Sequence, residues 1–147
     1  MEFKRDESNG SKMSWVRELV DPDGSLPKIE LEDDPRQKEK HIKNILLDGQ
    51  KIGELSIGGS GKFRHFEKVS LSETDRPKGC GLATYLLAIE EAQKDGAVFE
   101  TTSWYLTEDS VKIWKILAEK GVATVVDEFV QVTDVPQFMG KYRVYTK

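Results

Sequence analysis

The chain has 147 residues, 37% of them hydrophobic and 33% charged, with 22 lysines and arginines against 26 acids and a formal net charge of −4. That is enough for one domain with a substantial core and short for two, and the mild acidity argues against a broad nucleic-acid footprint. One cysteine, Cys80, excludes an internal disulfide and a cysteine-based metal cluster. No apolar run has the length to span a bilayer, and Met1 to Ser8 lacks the apolar core of a secretory signal, so a cytoplasmic protein that engages neither membrane nor nucleic acid is expected.

Residues 1–12 are polar, carry Ser8-Asn9-Gly10-Ser11, and are expected to be a disordered leader to a single domain over 13–147. Trp15, Val16, Leu19 and Val20 make a short amphipathic turn closed by Asp21-Pro22-Asp23-Gly24. Lys28 to Glu32 alternates as a strand, Asp33-Asp34-Pro35 ends it, and residues 36–41, with His41 read as surface, show little periodicity. Ile42–Leu47 and Lys51–Ile57 are β-rich runs joined across Asp48-Gly49, a dipeptide suited to a tight type I′ hairpin. Gly58-Gly59-Ser60-Gly61 then turns into a strand from Phe63 to Leu71, whose alternation puts Phe63, His65, Glu67 and Val69 on one face and Arg64, Phe66, Lys68 and Ser70 on the other.

The period then changes. Leu82, Ala83, Leu86, Leu87, Ile89 and Ala92 recur at helical spacing, and Asp95-Gly96 stops the helix. Val98 to Tyr105 reads as a strand. Thr107-Glu108-Asp109-Ser110 offers capping chemistry for a second helix bearing Val111, Ile113, Trp114, Leu117 and Ala118 and ended by Lys120-Gly121. Val122–Val132 and Tyr142–Tyr145 close the chain around a loop at Pro136. A meander, helix, strand, helix and two strands predict an α/β (α+β) fold: a mixed sheet with helices packed on it.

The chemistry concentrates where the meander meets the helix. Glycines at Gly79 and Gly81 let the backbone approach a ligand, and the first-turn amides of a helix lack internal partners at the positive end of its dipole. Together they form an anion site suited to phosphate or pyrophosphate, to which Arg76 and Lys78 add charge. A Walker loop would need Lys-Ser/Thr after its last glycine, where Leu82 stands. A dinucleotide fingerprint would need a third glycine, where Thr84 stands. The alternative for the glycine pair is a tight strand-to-helix connection with no ligand.

Arg76-Pro77-Lys78-Gly79-Cys80-Gly81-Leu82-Ala83 resembles the Arg/Gln-x-x-Gly-x-Gly/Ala signature of the GCN5-related N-acetyltransferases, and the order of elements from Trp15 to Tyr145 is similar to that family's. The resemblance implies a mostly antiparallel sheet of about seven strands, flanked by helices and split into a V between strands 4 and 5, with acetyl-CoA lying in the split as co-substrate and no metal. It implies pyrophosphate on the turn formed by Arg76, Lys78, Gly79, Cys80, Gly81, Leu82, Ala83 and Thr84, and pantetheine along Val69, Ser70 and Leu71. Strand amides near Leu71 would polarise the thioester carbonyl.

Members that acetylate histones carry a glutamate base on the signature strand, where His65 falls, with Glu67 two residues on; a solvated strand face is the equal alternative. Many members carry a tyrosine acid in Asn-x-x-Ala-x-x-Leu-Tyr-x-x-x-Gly on the second helix. Counting back from Gly121 puts Leu117 at the tyrosine and Ser110 at the asparagine, so the usual acid is absent. Trp114 cannot replace it, Tyr105 and Ser110 are the substitutes, and an unassisted thiolate would cost roughly 10²–10⁴-fold in rate. Cys80 is read as a small residue filling the turn, and Trp104 and Tyr105 as an acceptor wall or core. Glu30, Glu32, Asp33 and Asp34 would draw a cationic amine to the opening or form a solvated turn. The expected activity is transfer of acetyl to a primary amine, small molecule or peptide, in a ternary complex. The alternatives are a non-catalytic acyl-CoA-binding or protein-interaction module on the same fold and, less well matched, an unrelated nucleotide-binding protein. A homodimer is compatible with either of the first two.

Overall fold

The computed structural model describes residues 14–34, 42–59, 61–72, 77–101, 108–128 and 140–144. The leader, His41, Arg76, Trp104, Tyr105, Thr107 and the Pro136 segment lie outside them. The described elements are α1 (Trp15–Val20), β1 (Ile29–Asp33), β2 (Ile42–Leu47), β3 (Gln50–Gly58), β4 (Phe63–Leu71), α2 (Cys80–Lys94), β5 (Val98–Phe99), α3 (Glu108–Glu119), β6 (Ala123–Glu128) and β7 (Gly140–Val144).

Strands β1 to β5 form one sheet in chain order, antiparallel until β5 joins β4 in parallel, and β6 and β7 form a second, antiparallel ribbon. The hairpin at Asp48-Gly49 forms as its residues dictate, with φ of 52° and 78° and Leu47 facing Gln50. Helix α2 covers one face of the sheet. Cys80 and Ala83 pack there with Ile29, Ile45 and Leu55, and Leu86, Ile89 and Ala92 join Phe99, Trp114, Leu117, Tyr142 and Val144 in a second cluster. Helix α1 is tied to α2 through Arg17, whose Nε donates to Glu90 at 3.0 Å, and through Ser14, whose hydroxyl donates to the same carboxylate at 2.7 Å. No helix of the described residues is long and apolar enough to cross a membrane.

One expectation about strands is corrected. In β4 the strict alternation fails, because Ser56 faces Lys68 while Ile57 faces Phe66, leaving Glu67 as one extra residue. That bulge flips the parity, so Val69 and Leu71 join Phe66 against the α2-side core instead of sharing a face with His65. Of the strand expected over Val98–Tyr105, the described residues pair with β4 over Val98–Phe99, after which Glu100 bridges Arg143, and residues 102–105 lie outside the described residues. The acidic run Glu30–Asp34 lies on or just after β1, the outer edge of the sheet, and Glu30 lines a cavity of about 390 Å³ with Ala83 and Leu87 of α2.

Candidate functional site

The turn before α2 has the form its glycines predict. Gly79 is the N-cap with φ 99°, and a Cβ there would lie 3.3 Å from both Leu26 and Pro27. Gly81 has ordinary dihedrals, but a Cβ on it would meet Ile113 of α3 at 3.1 Å. One glycine makes the turn; the other lets the second helix close on it. The first amide bonded inside the helix is Ala83, whose N–H donates to the Gly79 carbonyl at 2.9 Å. The amides of Gly81 and Leu82 therefore have no intrahelical acceptor, no side chain caps the helix, and its first turn contains no acid. With Lys78 exposed beside it, the turn presents donors and positive potential to an anion.

The side chains of Cys80 and Thr84 are part of the packing. Cys80 is 1% exposed, and Thr84 is fully buried with its hydroxyl donating to the Cys80 carbonyl at 2.8 Å. Neither side chain faces the turn's open side.

Among the described residues, no strand covers the edge of β4 next to this turn. Val98 N–H donates to Lys62 O at 2.6 Å and Glu100 N–H to Arg64 O at 2.9 Å, but Thr101 N–H donates to Tyr142 O at 3.0 Å. Among the described residues, the parallel pairing with β4 ends with the bond to Arg64, and Glu100 and Thr101 turn to β7. Ser72 N–H donates to Ile52 O, so by strand alternation the amides of Val69 and Leu71 point away from β3 into the split. Ser70 does not share that direction: its carbonyl is the atom a Cβ on Gly53 would strike, so it faces β3, and its side chain is exposed on the outer face. Two surface cavities, of about 530 and about 390 Å³, are lined by neither Val69, Leu71 nor any residue from Lys78 to Leu82.

No protein-family profile and no curated protein matches the chain. Solved structures do. A Bacillus subtilis acetyltransferase with CoA is 15% identical and superposes with a TM-score of 0.54, over 82% of this chain and 99% of that one. A candidate streptothricin acetyltransferase from Bacillus anthracis, with acetyl coenzyme A, is 15% identical with a TM-score of 0.51, over 80% and 70%. The PaiA N-acetyltransferase of Thermoplasma acidophilum, with coenzyme A, is 17% identical with a TM-score of 0.48 over 71% of this chain, which spans 60% of that protein's length. The chain has the GCN5-related N-acetyltransferase fold.

Within that fold the remaining side chains divide by face. His65 pairs with Gly58, and a Cβ on Gly58 would lie 2.6 Å from the Glu67 carboxyl carbon. Paired residues share a face, so His65 and Glu67 stand on the side of β4 to which Gly58 belongs, with Glu67 accepting from the Ser56 hydroxyl at 2.9 Å and lining, with Lys43, Arg64 and Glu91 of α2, the cavity of about 530 Å³. On the α2 face Leu117 is fully buried, and Trp114, 1% exposed, stacks on Tyr142 with ring centres 5.6 Å apart. Ser110 is half-buried, and its Oγ lies 3.0 Å from the hydroxyl of Tyr85. Burial raises the Tyr85 phenol above its ordinary pKa, and the Ser110 hydrogen bond opposes this more weakly. Tyr85 is the residue the sequence hides. It falls among apolar residues at helical spacing, and the hydroxyl it meets is 25 positions away.

Proposed function

We propose that this protein is an acetyl-CoA-dependent N-acetyltransferase that acts on a primary amine by direct transfer in a ternary complex. The observation that supports the reading is the proximity of two backbone surfaces that have no hydrogen-bond partner among the described residues: the Gly81–Leu82 amides at the start of α2 and the Val69–Leu71 edge of β4. A ligand with a pyrophosphate at one end and amides along an extended arm matches both. The first surface takes the phosphates, and the arm adds to β4 as a strand would.

The reacting carbonyl would then lie where β4 and β5 part. There His65 or Glu67 would take a proton from the incoming amine, directly or through water. The amine nitrogen attacks the thioester carbon, the C–N bond forms, and collapse of the tetrahedral intermediate breaks C–S.

One observation favours a second reading, an acyl-CoA-binding module without turnover: Leu117, buried in the core, occupies the position of the usual acid. A thiol-release assay with acetyl-CoA and a panel of amines and peptides decides. Turnover with any amine supports the enzyme, and stabilisation by acetyl-CoA without thiol release supports the module.

A further inference from the structure

The larger cavity, of about 530 Å³, lies at the end of α2 away from the anion turn, between the last turns of that helix and strands β3 and β4. Its volume is that of a small-molecule site. Ile57, Ala88 and Ala92 give it an apolar floor, and every other side chain that lines it is charged: Lys43 and Arg64 against Glu67, Glu91 and Asp95. These charges are not matched within the protein. Lys43 is held by Asp33 at 2.8 Å. Arg64 uses Nη1 on the carbonyls of Gly61 and Phe63, at 3.0 and 2.9 Å, which fixes the guanidinium and leaves Nε and Nη2 for a ligand. Glu91 and Asp95 stand one turn apart at the C-terminal end of α2, with no ion pair or side-chain hydrogen bond among the described residues. Like charges at that spacing repel, and both meet the negative end of the helix dipole. A cation between them would relieve both terms.

Glu67 is placed differently. The Ser56 hydroxyl donates to it at 2.9 Å, and it lies where Gly58 has no side chain, since a Cβ there would come within 2.6 Å of its carboxyl carbon. The cavity is also in line with the coenzyme's path. Going back along β4, Leu71 and Val69 carry the amides assigned to the arm, and Glu67 and Arg64 come next, on the cavity. Arg64 is where the pairing with β5 ends. An arm that starts at the first turn of α2 and runs back along β4 therefore ends beside Glu67.

We propose that this cavity holds the acceptor and that the acceptor is a diamino acid: its carboxylate on the Arg64 guanidinium, one ammonium between Glu91 and Asp95, and the amine to be acetylated beside Glu67. The proposal rests on the acetyltransferase reading above. A molecule with one amine leaves Glu91 and Asp95 uncompensated, and a diamine without a carboxylate leaves Arg64 without an anion. As the C–N bond forms, C–S breaks with its electron pair and a proton going to sulfur. The net change turns an ammonium and a thioester into an amide, the free CoA thiol and one proton released to solvent.

Calorimetric titration of the full chain with ornithine, putrescine and norvaline tests the ligand class, because putrescine lacks the carboxylate and norvaline the second amine. Ornithine should bind about tenfold tighter than either. Glu91→Gln and Asp95→Asn, at exposed positions, should each weaken ornithine about fivefold and leave norvaline as it was. Each should also raise the Tm of the free chain by about 1–4 °C, as repulsion at the helix end is relieved. Arg64→Gln should bring ornithine down to the affinity of putrescine. Equal binding of ornithine and either analogue overturns the proposal, and so does ornithine binding that ignores both Glu91→Gln and Asp95→Asn. Thiol release from acetyl-CoA separates this proposal from the reading beneath it. Release with another amine and none with ornithine overturns the proposal and leaves the acetyltransferase reading. No release with any amine while ornithine binds fails that reading and leaves the ligand class of the cavity standing.

Discussion

Gly79→Ala is the perturbation that bears most heavily on the anion turn. At φ 99° an L-residue is strained, and its Cβ would sit 3.3 Å from the Leu26 and Pro27 side chains, closer than most such contacts. A left-handed backbone costs a non-glycine residue about 1–2 kcal/mol. Crowding against Pro27, whose ring cannot swing away, adds up to about 1 kcal/mol. The total of about 1–3 kcal/mol corresponds to a fall in Tm of roughly 3–9 °C at this chain length. A ligand at 100 times its Kd stabilises by about 2.7 kcal/mol, a wild-type rise of roughly 8 °C. Most of that rise should vanish in the variant, because relief of the strain means turning the following amides away from the ligand. Gly81→Ala is the control: its dihedrals are ordinary, and the atom it crowds is the mobile end of Ile113. Scanning fluorimetry of the three proteins with and without acetyl-CoA gives all the values. A Gly79→Ala chain that melts with the wild type and keeps the full acetyl-CoA shift refutes the reasoning.

Tyr85 predicts a pH dependence of stability. Its folded pKa is raised by burial above the unfolded value of 10.0, so the stability it contributes is fully present below pH 10 and is lost as pH rises through the folded value. Urea denaturation from pH 8 to 11 should show wild type losing stability relative to Tyr85→Phe only above about pH 10; a parallel response contradicts it. The Arg17–Glu90 tie between α1 and α2 raises the Arg17 pKa chiefly through its hydrogen bond to Glu90. A double-mutant cycle with Arg17→Ala and Glu90→Ala should give a coupling of about 0.5–1.5 kcal/mol, discounted because the pair is partly solvated, and zero coupling would remove the tie. For the base, His65→Ala and Glu67→Gln should each be assayed across pH; the variant that leaves the acidic limb in place is not the base.

What the sequence made legible is what local chemistry decides. Asp48-Gly49 can hardly be other than a tight hairpin turn, and Gly79-Cys80-Gly81 opens a helix because its residues suit a left-handed cap followed by a close approach. Pairing between distant residues decided the rest. The extra residue at Glu67 exists only relative to β3, and one inserted position moved Val69 and Leu71 to the opposite face from that read by simple alternation. After Phe99 the pairing changes hands, with Thr101 bonded to Tyr142, 41 positions on, and not to β4. Likewise, Ser110 stands out in the sequence at the asparagine position of the second helix, but the phenol it meets belongs to a helix that reads as plain core.

The central claim is that coenzyme A lies on the open edge of β4 with its pyrophosphate on the amides that begin α2. Amide hydrogen exchange read residue by residue, with and without CoA, tests it most directly. CoA should slow exchange at Val69, Leu71, Gly81 and Leu82 and leave Ser70, already turned to β3, unchanged. Exchange at those four amides that is unaltered by CoA, or slowed equally by ATP, would contradict it.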